Sequence, residues 1–346
     1  MTTESFPSSP RDFLANWSTS RGNLRRFLEE TALPPIDEEA QREAGQAAAA
    51  AAVEETFGID LDQFTSGVDS VSGALASAGG LHITQPDPDV PQDVESAAFF
   101  DIDNTLIQGS SLVVFAFGLA RKRFFNLREI APIAWKQLRF KLSGTEHAGD
   151  MQSGREQALS FVKGRDVSIL RELCEEIVDR SMVHKSYAGT LDLAAMHLAA
   201  GQQVWLVSAT PVQIGQILAE RFGFTGALGT VAEEEGGKFT GRLVGDILHG
   251  PGKRHAVAAL AAIQQLDLSK CTAYSDSAND IPMLSMVGTA VAINPDKALK
   301  AEAIKRGWIV RDYRSMRRAV KTWGVPALVT AALSFWGLKR FRGRVE

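Results

Sequence analysis

The stretch FFDIDNTLIQGS, residues 99–110, decides the fold of this chain. Two alanines precede it, and the resulting apolar run without polar alternation is typical of a parallel strand that is buried on both faces. Asp101 and Asp103 follow at the carboxyl end of that strand, where open α/β sheets bind their ligands. Buried carboxylates are costly unless a cation or hydrogen-bond donors compensate them, so a plain turn or helix cap formed by Asp103 and Asn104 stays open at this point.

Apolar strand candidates alternate with helical stretches from residue 96 onward, which predicts an α/β fold with a Rossmann-like parallel sheet. The candidates are SAAFFD (96–101), QQVWLVSA (202–209), KCTAYSD (270–276) and TAVAIN (289–294). The first two strand candidates are separated by too many residues for a single helical crossover connection. The apolar residues between them, spaced by three and four, predict an inserted helical cap over the strand ends. The glycines and alternating residues of GGKFTGRLVGD, residues 236–246, predict a β-hairpin.

The length of 346 residues suggests about two domains, or one core domain with a substantial insertion and tail. We expect a catalytic core formed by residues 96–109 and 196–310, with the helical cap at 110–195 between them. Residues 1–95 are expected to be an appended helical extension that lacks a core of its own, packs on something else and ends in the Pro- and Asp-rich linker QPDPDVPQD. Residues 311–346 are expected to form a basic and apolar C-terminal helix.

The C-terminal residues 311–346 carry a charge opposite to that of the rest of the chain. They contain nine Lys or Arg and two acidic residues, a net charge of +7, whereas the whole chain has −4. An acidic body with a basic tail predicts that the tail has a partner of its own, with an anionic membrane surface and nucleic acid as the classes to weigh. Of these we expect the membrane surface and no nucleic acid.

An uncharged stretch, WGVPALVTAALSFWGL at 323–338, lies inside this tail. As a helix it would span roughly 24 Å, which is short of the hydrocarbon core of about 30 Å. Its tryptophans and the basic residues on both sides suit an interfacial or marginally spanning anchor on the cytoplasmic leaflet. A helix docked on the acidic body or in a homodimer interface is the alternative.

The two cysteines, Cys174 and Cys271, stand in apolar sequence and form neither a disulfide framework nor a CxxC metal site. The amino terminus has no apolar segment of the kind that a secretory signal contains. We therefore expect a cytoplasmic protein. A second hypothesis is that residues 311–346 attach it to the inner face of the membrane.

Polar side chains follow three of the predicted strands, namely Asp101, Asp103, Ser208, Thr210, Asp276, Asn279 and Asp280. Since parallel strands bring their carboxyl ends to one edge of the sheet, we expect these clusters to converge in one cleft. Its four carboxylates would repel one another unless a hard cation lay among them, and Mg²⁺ with its oxygen ligands is the natural choice. Lys253, at a predicted helix start, could face an anionic substrate, although taken alone it resembles an ordinary surface lysine. Asn279 suits a turn position as well, and Thr210 suits one better.

Four motifs in this order, FFDIDNTL, VWLVSAT, GPGKRHAV and AYSDSANDIPML, resemble those of the haloacid dehalogenase superfamily. The resemblance is to subfamily IB, the group that includes phosphoserine phosphatase. It covers about residues 96–310, with the helical insertion at the position of that family's cap. It implies a magnesium-dependent phosphatase that hydrolyses a phosphomonoester through an aspartyl-phosphate intermediate.

The resemblance also implies a role for each matching residue. Asp101 would be the nucleophile, and Asp103 would protonate the leaving alkoxide and then activate a water molecule. Ser208 and Lys253 would hold the phosphoryl oxygens and stabilise their charge. Thr105 would help to set the turn, and it would bind the substrate phosphate together with Ser208 and Lys253.

A magnesium site is implied by the same motifs. The carboxylates of Asp101 and Asp276, together with the backbone carbonyl of Asp103, would bind Mg²⁺. Asp280 would support the metal and orient Lys253.

The residues with which phosphoserine phosphatases recognise serine do not match. No acid follows Thr105 before Glu129, although the family places a Glu there for the substrate ammonium, and Val162 falls where a cap Arg is expected for the carboxylate. Ser275 and Ser277 replace glycines in the last motif. We therefore expect a phosphomonoesterase whose leaving group is not committed to serine.

Two other functions remain open from the sequence. A membrane-associated phosphatase would act on a lipid phosphate head group, of the lysophosphatidic acid or phosphatidylglycerophosphate type, with the basic tail as its anchor. A non-catalytic scaffold that binds a membrane or a protein would have lost at least one of Asp101, Asp103, Lys253 and Asp276, and all four are present.

Overall fold

The computed structural model of the protein describes residues 38–80, 82–122, 124 and 162–314. In this part of the chain seven strands form one sheet. They are β1 (Ala97–Phe100), β2 (Gln203–Pro211), β3 (Gly226–Glu235), β4 (Lys238–Val244), β5 (Thr272–Ser275), β6 (Thr289–Ile293) and β7 (Ile309–Arg311). Their order is β4-β3-β2-β1-β5-β6-β7, and all neighbours are parallel except β3 and β4. The predicted α/β fold with a parallel sheet is confirmed.

The same described ranges also contain helices. They are α1 (Glu38–Phe57), α2 (Leu61–Ala78), α3 (Ser111–Arg121), α4 (Val167–Ser181), α5 (Ala188–Ala199), α6 (Val212–Phe222), α7 (Pro251–Gln264), α8 (Ile281–Leu284) and α9 (Lys297–Arg306). Helices α3 to α6 contribute to the apolar core on one face of the sheet. Helices α2, α7, α8 and α9 contribute to the core on the other face. The sheet is therefore the middle of three layers.

Strand β1 lies at the centre of the sheet, and this position explains its composition. Ala98 and Phe100 belong to the core of one face, and Ala97 and Phe99 belong to the core of the other. All four side chains are buried, so the strand contains no polar residue until Asp101 reaches the carboxyl edge.

The chain divides into two compact units, Met1–Thr56 and Phe57–Glu346. The described part of the first unit consists of α1 up to residue 56, which contains the run of six alanines at residues 47–52. Its side chains are mostly exposed. The high helix propensity of alanine, rather than burial, accounts for this helix.

Helix α2 is an integral part of the second unit. It begins at a capping box, in which Asp60 accepts the N–H of Gln63 at 2.8 Å and the Gln63 side chain accepts the N–H of Asp60. Val71 and Ala74 are buried in the same core cluster as residues of α7. Sequence reasoning assigned the whole of residues 1–95 to an extension, but α2 packs within the unit that holds the sheet, and we propose that the core domain begins near residue 57.

Replacing Gly67 by alanine is expected to destabilise this unit. A Cβ at that position would overlap the backbone carbonyl of His255, so α2 and α7 would have to separate. Overpacking of this kind costs about 1–3 kcal/mol. We expect Gly67→Ala to lower the midpoint of thermal unfolding, whereas Gly45→Ala in α1, where nothing lies within 4 Å, should not lower it. Equal midpoints for the two variants would contradict close packing of α2 on α7.

The predicted hairpin at residues 236–246 covers only the turn and the second strand of the hairpin that is observed. These residues form the turn and β4, and β4 pairs antiparallel with β3, which sequence reasoning missed. Gly236 and Gly237 occupy the turn with φ of 58° and 77°, the left-handed conformation that tight hairpin turns require. Strand β3, GALGTVAEEE, ends in exposed or half-exposed acids and lacks the long apolar run that marks a buried strand.

The segment expected to be the cap, residues 110–195, includes α3 and α4; within it, residues 123 and 125–161 lie outside the described ranges. Helix α5 runs without interruption through residue 195 and contacts β1 and β2. A boundary at 195 would divide this helix, so we propose that the cap ends before Ala188.

The expected linker at 85–93 is fastened to the core at its end, because the N–H of Asp93 donates to the carbonyl of Gly201 at 2.9 Å. The apolar stretch at 323–338 and most of the basic tail lie outside the described residues. Among the residues that are described, no helix is long and apolar enough to cross a membrane.

Candidate active site

Lys253 joins two of the predicted carboxylates at the carboxyl edge of the sheet. Its Nζ donates hydrogen bonds to Asp101 Oδ1 at 2.5 Å and to Asp280 Oδ2 at 2.6 Å. Asp101 follows β1, Asp280 lies in the loop after β5, and Lys253 lies in the first turn of α7. All three residues are at most 5% exposed. The expected convergence of these distant motifs is therefore observed, and Lys253 is not an ordinary surface lysine.

The start of α7 explains how Lys253 reaches the carboxylates. Gly250 precedes the helix with a φ of 55°, a conformation that favours glycine, and Pro251 occupies the first turn. A Cβ on Gly252 would overlap the carbonyl oxygen of Ile247. The sequence Gly-Pro-Gly thus lets the helix begin against the preceding loop, with Lys253 directed toward the end of β1.

A serine holds Asp280 in place. The hydroxyl of Ser275 donates to Asp280 Oδ2 at 2.7 Å, and Ser275 is fully buried. The same carboxylate oxygen therefore accepts from both Ser275 and Lys253. From the sequence, Ser275 was recognised only as a departure from glycine, and the role of its hydroxyl was missed.

Two carboxyl groups of the site, those of Asp101 and Asp276, have raised pKa values. Burial raises the pKa of Asp101 to about 8, and the charges of Asp280 and Asp103 act in the same direction, while Lys253 opposes them. Burial also raises the pKa of Asp276 to about 6, against a hydrogen bond from Asn104.

The ammonium responds in the opposite way. Burial alone would lower the pKa of Lys253, but the charges of Asp101 and Asp280 outweigh burial and raise it. The site thus keeps a permanent cation among its acids.

Asp103 is held by Ser111 at the start of α3. The N–H of Ser111 donates to Asp103 Oδ1 at 2.9 Å, and its hydroxyl donates to the same oxygen. The hydroxyl oxygens of Ser111 and Thr210 are 2.6 Å apart, and those of Thr210 and Ser208 are 3.0 Å apart. Sequence reasoning missed Ser111 and interpreted Thr210 as a turn hydroxyl, but both are buried and connect Ser208 to Asp103.

The turn after Asp101 is fixed by two asparagines in left-handed conformation. Asn104 has a φ of 53°, and its side-chain oxygen accepts the N–H of Gly109 at 3.0 Å. Asn294, at the end of β6, has a φ of 49° and donates from its amide to the carbonyl of Asn104 at 2.8 Å. The Asn104 side chain also hydrogen-bonds Asp276. Asn294 was missed because its contacts are far from it in sequence.

Two other predicted residues stand apart from this network. The Thr105 hydroxyl is buried without a hydrogen-bond partner among the described residues, and its carbonyl accepts from the Thr190 hydroxyl at 2.8 Å. The Thr105 hydroxyl is therefore not hydrogen-bonded to Ser208 or Lys253. Asn279 is exposed, and its amide lies 3.4 Å from His249 Nε2.

The charge of the site suits a divalent cation. Asp101, Asp103, Asp276 and Asp280 interact electrostatically, and Lys253 is the one cation hydrogen-bonded to them within the described ranges. In those ranges no group of three or more His, Cys, Asp or Glu side chains could hold a metal. Mg²⁺ does not need such a group, because it keeps several water ligands and binds through one or two carboxylates. The carboxylate oxygens at this edge of the sheet are thus donors of the kind that Mg²⁺ binds.

The family of haloacid dehalogenase-like hydrolases matches residues 98–285. This range begins in β1 and ends after α8, so it contains Asp101, Lys253 and Asp280 but not Asn294.

Several known proteins are similar to this chain. A phosphoserine phosphatase of Mycobacterium tuberculosis is 54% identical over 237 residues, which are 68% of this chain and 77% of that protein. A Mycobacterium leprae protein named as a hydrolase is 52% identical over 240 residues, 69% of this chain and 80% of that one. A solved structure from Bordetella pertussis, of a protein with unknown function, is 29% identical with a TM-score of 0.57 and covers 63% of this chain and 98% of that one.

Proposed function

The chain belongs to the haloacid dehalogenase-like hydrolase family and is a phosphatase similar to phosphoserine phosphatases, and we propose that it hydrolyses phosphomonoesters through a phosphorylated Asp101. The observation that carries the proposal is the buried contact of Lys253 with Asp101 and Asp280, at 2.5 and 2.6 Å. It presents a carboxylate and a cation together at the carboxyl edge of β1, where a phosphate can meet both.

In the first step, a carboxylate oxygen of Asp101 attacks phosphorus, and the bond between phosphorus and the ester oxygen breaks. The electron pair leaves with that oxygen, and the protonated Asp103 gives it a proton, so the leaving group departs as an alcohol. The ammonium of Lys253 and the hydroxyl of Ser208 hold the phosphoryl oxygens, on which negative charge lies throughout the transfer.

In the second step, Asp103 acts as the base. It takes a proton from a water molecule whose oxygen attacks phosphorus, and the bond from phosphorus to Asp101 breaks. Inorganic phosphate leaves, Asp101 is again a carboxylate, and Asp103 is again protonated. Asp103 can serve both steps because it loses its proton in the first step and is then the carboxylate base that the second step needs.

Mg²⁺ would be held by the carboxylates of Asp101 and Asp276 and by the backbone carbonyl of Asp103. When bound, it neutralises charge on the phosphate and on the acids around it. Asp280 would orient Lys253 through the hydrogen bond of 2.6 Å that Lys253 donates to it.

The substrate is proposed to be a small phosphomonoester, with phosphoserine as one candidate. The Mycobacterium tuberculosis relative named as a phosphoserine phosphatase supports that candidate. The absence of an acid between Thr105 and Glu129 opposes a strict requirement for it, because a substrate ammonium would lack its carboxylate there. We therefore propose that the leaving group is not restricted to serine.

With Mg²⁺ present, the purified protein is expected to release phosphate from at least one of phosphoserine, glycerol phosphate, p-nitrophenyl phosphate and lysophosphatidic acid. EDTA should abolish the release. Asp276→Asn should raise the Mg²⁺ concentration needed for half-maximal rate by at least about tenfold, since it removes a proposed ligand. Phosphate release and its Mg²⁺ dependence would be measured for each ester.

Asp179→Asn is the matched control, because Asp179 lies on the surface and bonds only Arg221 among the described residues. This variant should keep the wild-type Mg²⁺ requirement. Full activity in EDTA would contradict the magnesium site. A strong preference for lysophosphatidic acid over the small esters would favour the lipid phosphatase instead.

A further inference from the structure

A chain of buried hydroxyls runs from the phosphate-binding Ser208 to the acid Asp103. It passes through Thr210 and Ser111, with oxygen separations of 3.0 Å and 2.6 Å, and ends in the hydrogen bonds that Ser111 donates to Asp103 Oδ1. Ser111 is fully buried, and Ser208 and Thr210 are at most 3% exposed. Bulk water therefore does not compete for these hydroxyls.

The acceptor at the end of the chain fixes the direction of every bond in it. Asp103 Oδ1 accepts from both the N–H and the hydroxyl of Ser111. Because the Ser111 hydroxyl has a single proton, its contact with Thr210 must be donated by Thr210. By the same reasoning, Ser208 donates the contact with Thr210 while no phosphate is bound, and it turns this proton to a phosphoryl oxygen when phosphate binds.

The two oxygens of Asp103 consequently differ. Oδ1 is occupied by two donors, whereas no described residue donates a hydrogen bond to Oδ2. A proton that moves between Asp103 and a substrate or water is therefore carried by Oδ2. The two hydrogen bonds that Ser111 donates to Oδ1 fix the side-chain torsion angles of Asp103, and these angles determine the direction of Oδ2.

We propose that Ser111 and Thr210 are positioning residues for the phosphatase reaction, which hold Asp103 so that its Oδ2 faces the leaving group. This inference rests on the proposed function. Ser111 contacts Asp103 directly, and Thr210 acts through Ser111 by keeping the Ser111 hydroxyl proton directed at Oδ1. In the transfer, the proton leaves Asp103 Oδ2 for the ester oxygen as its bond to phosphorus breaks.

The leaving group distinguishes a positioning role from a structural one. An alkoxide is a poor leaving group and needs the proton of Asp103, whereas p-nitrophenolate leaves readily without one. Ser111→Ala should therefore lower kcat/KM by about tenfold or more for the alkyl phosphate that the wild type hydrolyses fastest. For p-nitrophenyl phosphate the same variant should lose less than about threefold, since kcat/KM reports only the steps up to phosphoryl transfer.

Thr210 offers a pair of variants that separates the effect of its hydroxyl from the effect of its shape. Thr210→Val removes the hydroxyl and should change the ratio of the two kcat/KM values in the same direction as Ser111→Ala. Thr210→Ser keeps the hydroxyl and should restore the wild-type ratio. Ser110→Ala is the control for the start of α3, because it removes the capping hydroxyl of that helix but leaves both donors to Asp103. Its ratio should equal that of the wild type.

An equal loss on both substrates in Ser111→Ala and Thr210→Val would overturn the inference, as would an unchanged kcat/KM on both. A wild-type ratio in Thr210→Val would also overturn it. Failure of the proposed function looks different. In that case Asp101→Asn would be as active as the wild type, or the wild type would release no phosphate from any ester, and the inference would fall with it.

Discussion

Asp101→Asn is expected to lower phosphate release on the order of a thousandfold or more, the scale typical of losing a nucleophile. The carboxamide has nearly the same shape as the carboxylate, but it cannot form the acyl phosphate on which both proposed steps depend. The expected loss is in kcat for every ester, whatever its leaving group. Phosphate release under saturating ester and Mg²⁺ measures it.

The fold should survive this change. Lys253 still donates to Asp280 at 2.6 Å, so the buried ammonium keeps a charged partner when Asp101 becomes neutral. We expect the midpoint of thermal unfolding to stay close to that of the wild type. Trapping of a phosphorylated protein, detected by intact mass after acid quench, should succeed in the wild type and fail in the variant. Equal phosphate release from the two proteins would exclude Asp101 as the nucleophile.

Local pattern was sufficient to predict the strands that are buried on both faces. Strand β1 has four consecutive buried residues, so its sequence alone identifies it as a central strand. Strand β3 could not be recognised in the same way, because its second half is partly exposed and acidic. It is a strand because β2 and β4 pair with it, and such pairing is decided by residues that are distant in sequence.

The candidate site shows the same division. Asp101 and Lys253 could be proposed because they lie in ordered motifs that resemble those of a known family, although Lys253 taken alone resembles a surface lysine. Ser111 and Ser275 could not, since a serine at the start of a helix or at the end of a strand is common and only its partner reveals its role. Their hydroxyls are directed to Asp103 and Asp280 by burial, which the sequence does not display. Residues proposed to act on the substrate were thus easier to predict than the residues that hold them in place.

Lys253→Met is expected to abolish measurable phosphate release and also to destabilise the fold, in contrast to Asp101→Asn. The side chain keeps its length but loses the ammonium that both Asp101 and Asp280 accept from. Two buried carboxylates then face each other without a cation. Breaking a buried ion pair on one side costs about 3–5 kcal/mol. Thermal unfolding in EDTA, together with phosphate release in Mg²⁺, measures both effects.

The destabilisation of Lys253→Met should depend on pH. In the wild type, burial raises the pKa of Asp101 to about 8 although Lys253 opposes the shift, so without Lys253 the folded-state pKa must lie higher still. A group whose pKa is raised on folding contributes stability at low pH, and this contribution is lost as pH rises through the folded-state value. The variant should therefore lie closest to the wild type near pH 5 and fall further below it toward pH 9.

Two controls separate the stability effect from the catalytic one. In the double variant of Lys253→Met with Asp280→Asn, one of the facing carboxylates is neutral, so part of the lost stability should return while activity stays absent. Lys270→Met removes an exposed lysine that pairs with Glu95, and it should change neither stability nor activity noticeably. If Lys253→Met unfolds at the wild-type midpoint across this pH range, the buried contact does not exist in solution. Since that contact carries the proposed function, the phosphatase mechanism derived from it would then lose its structural basis.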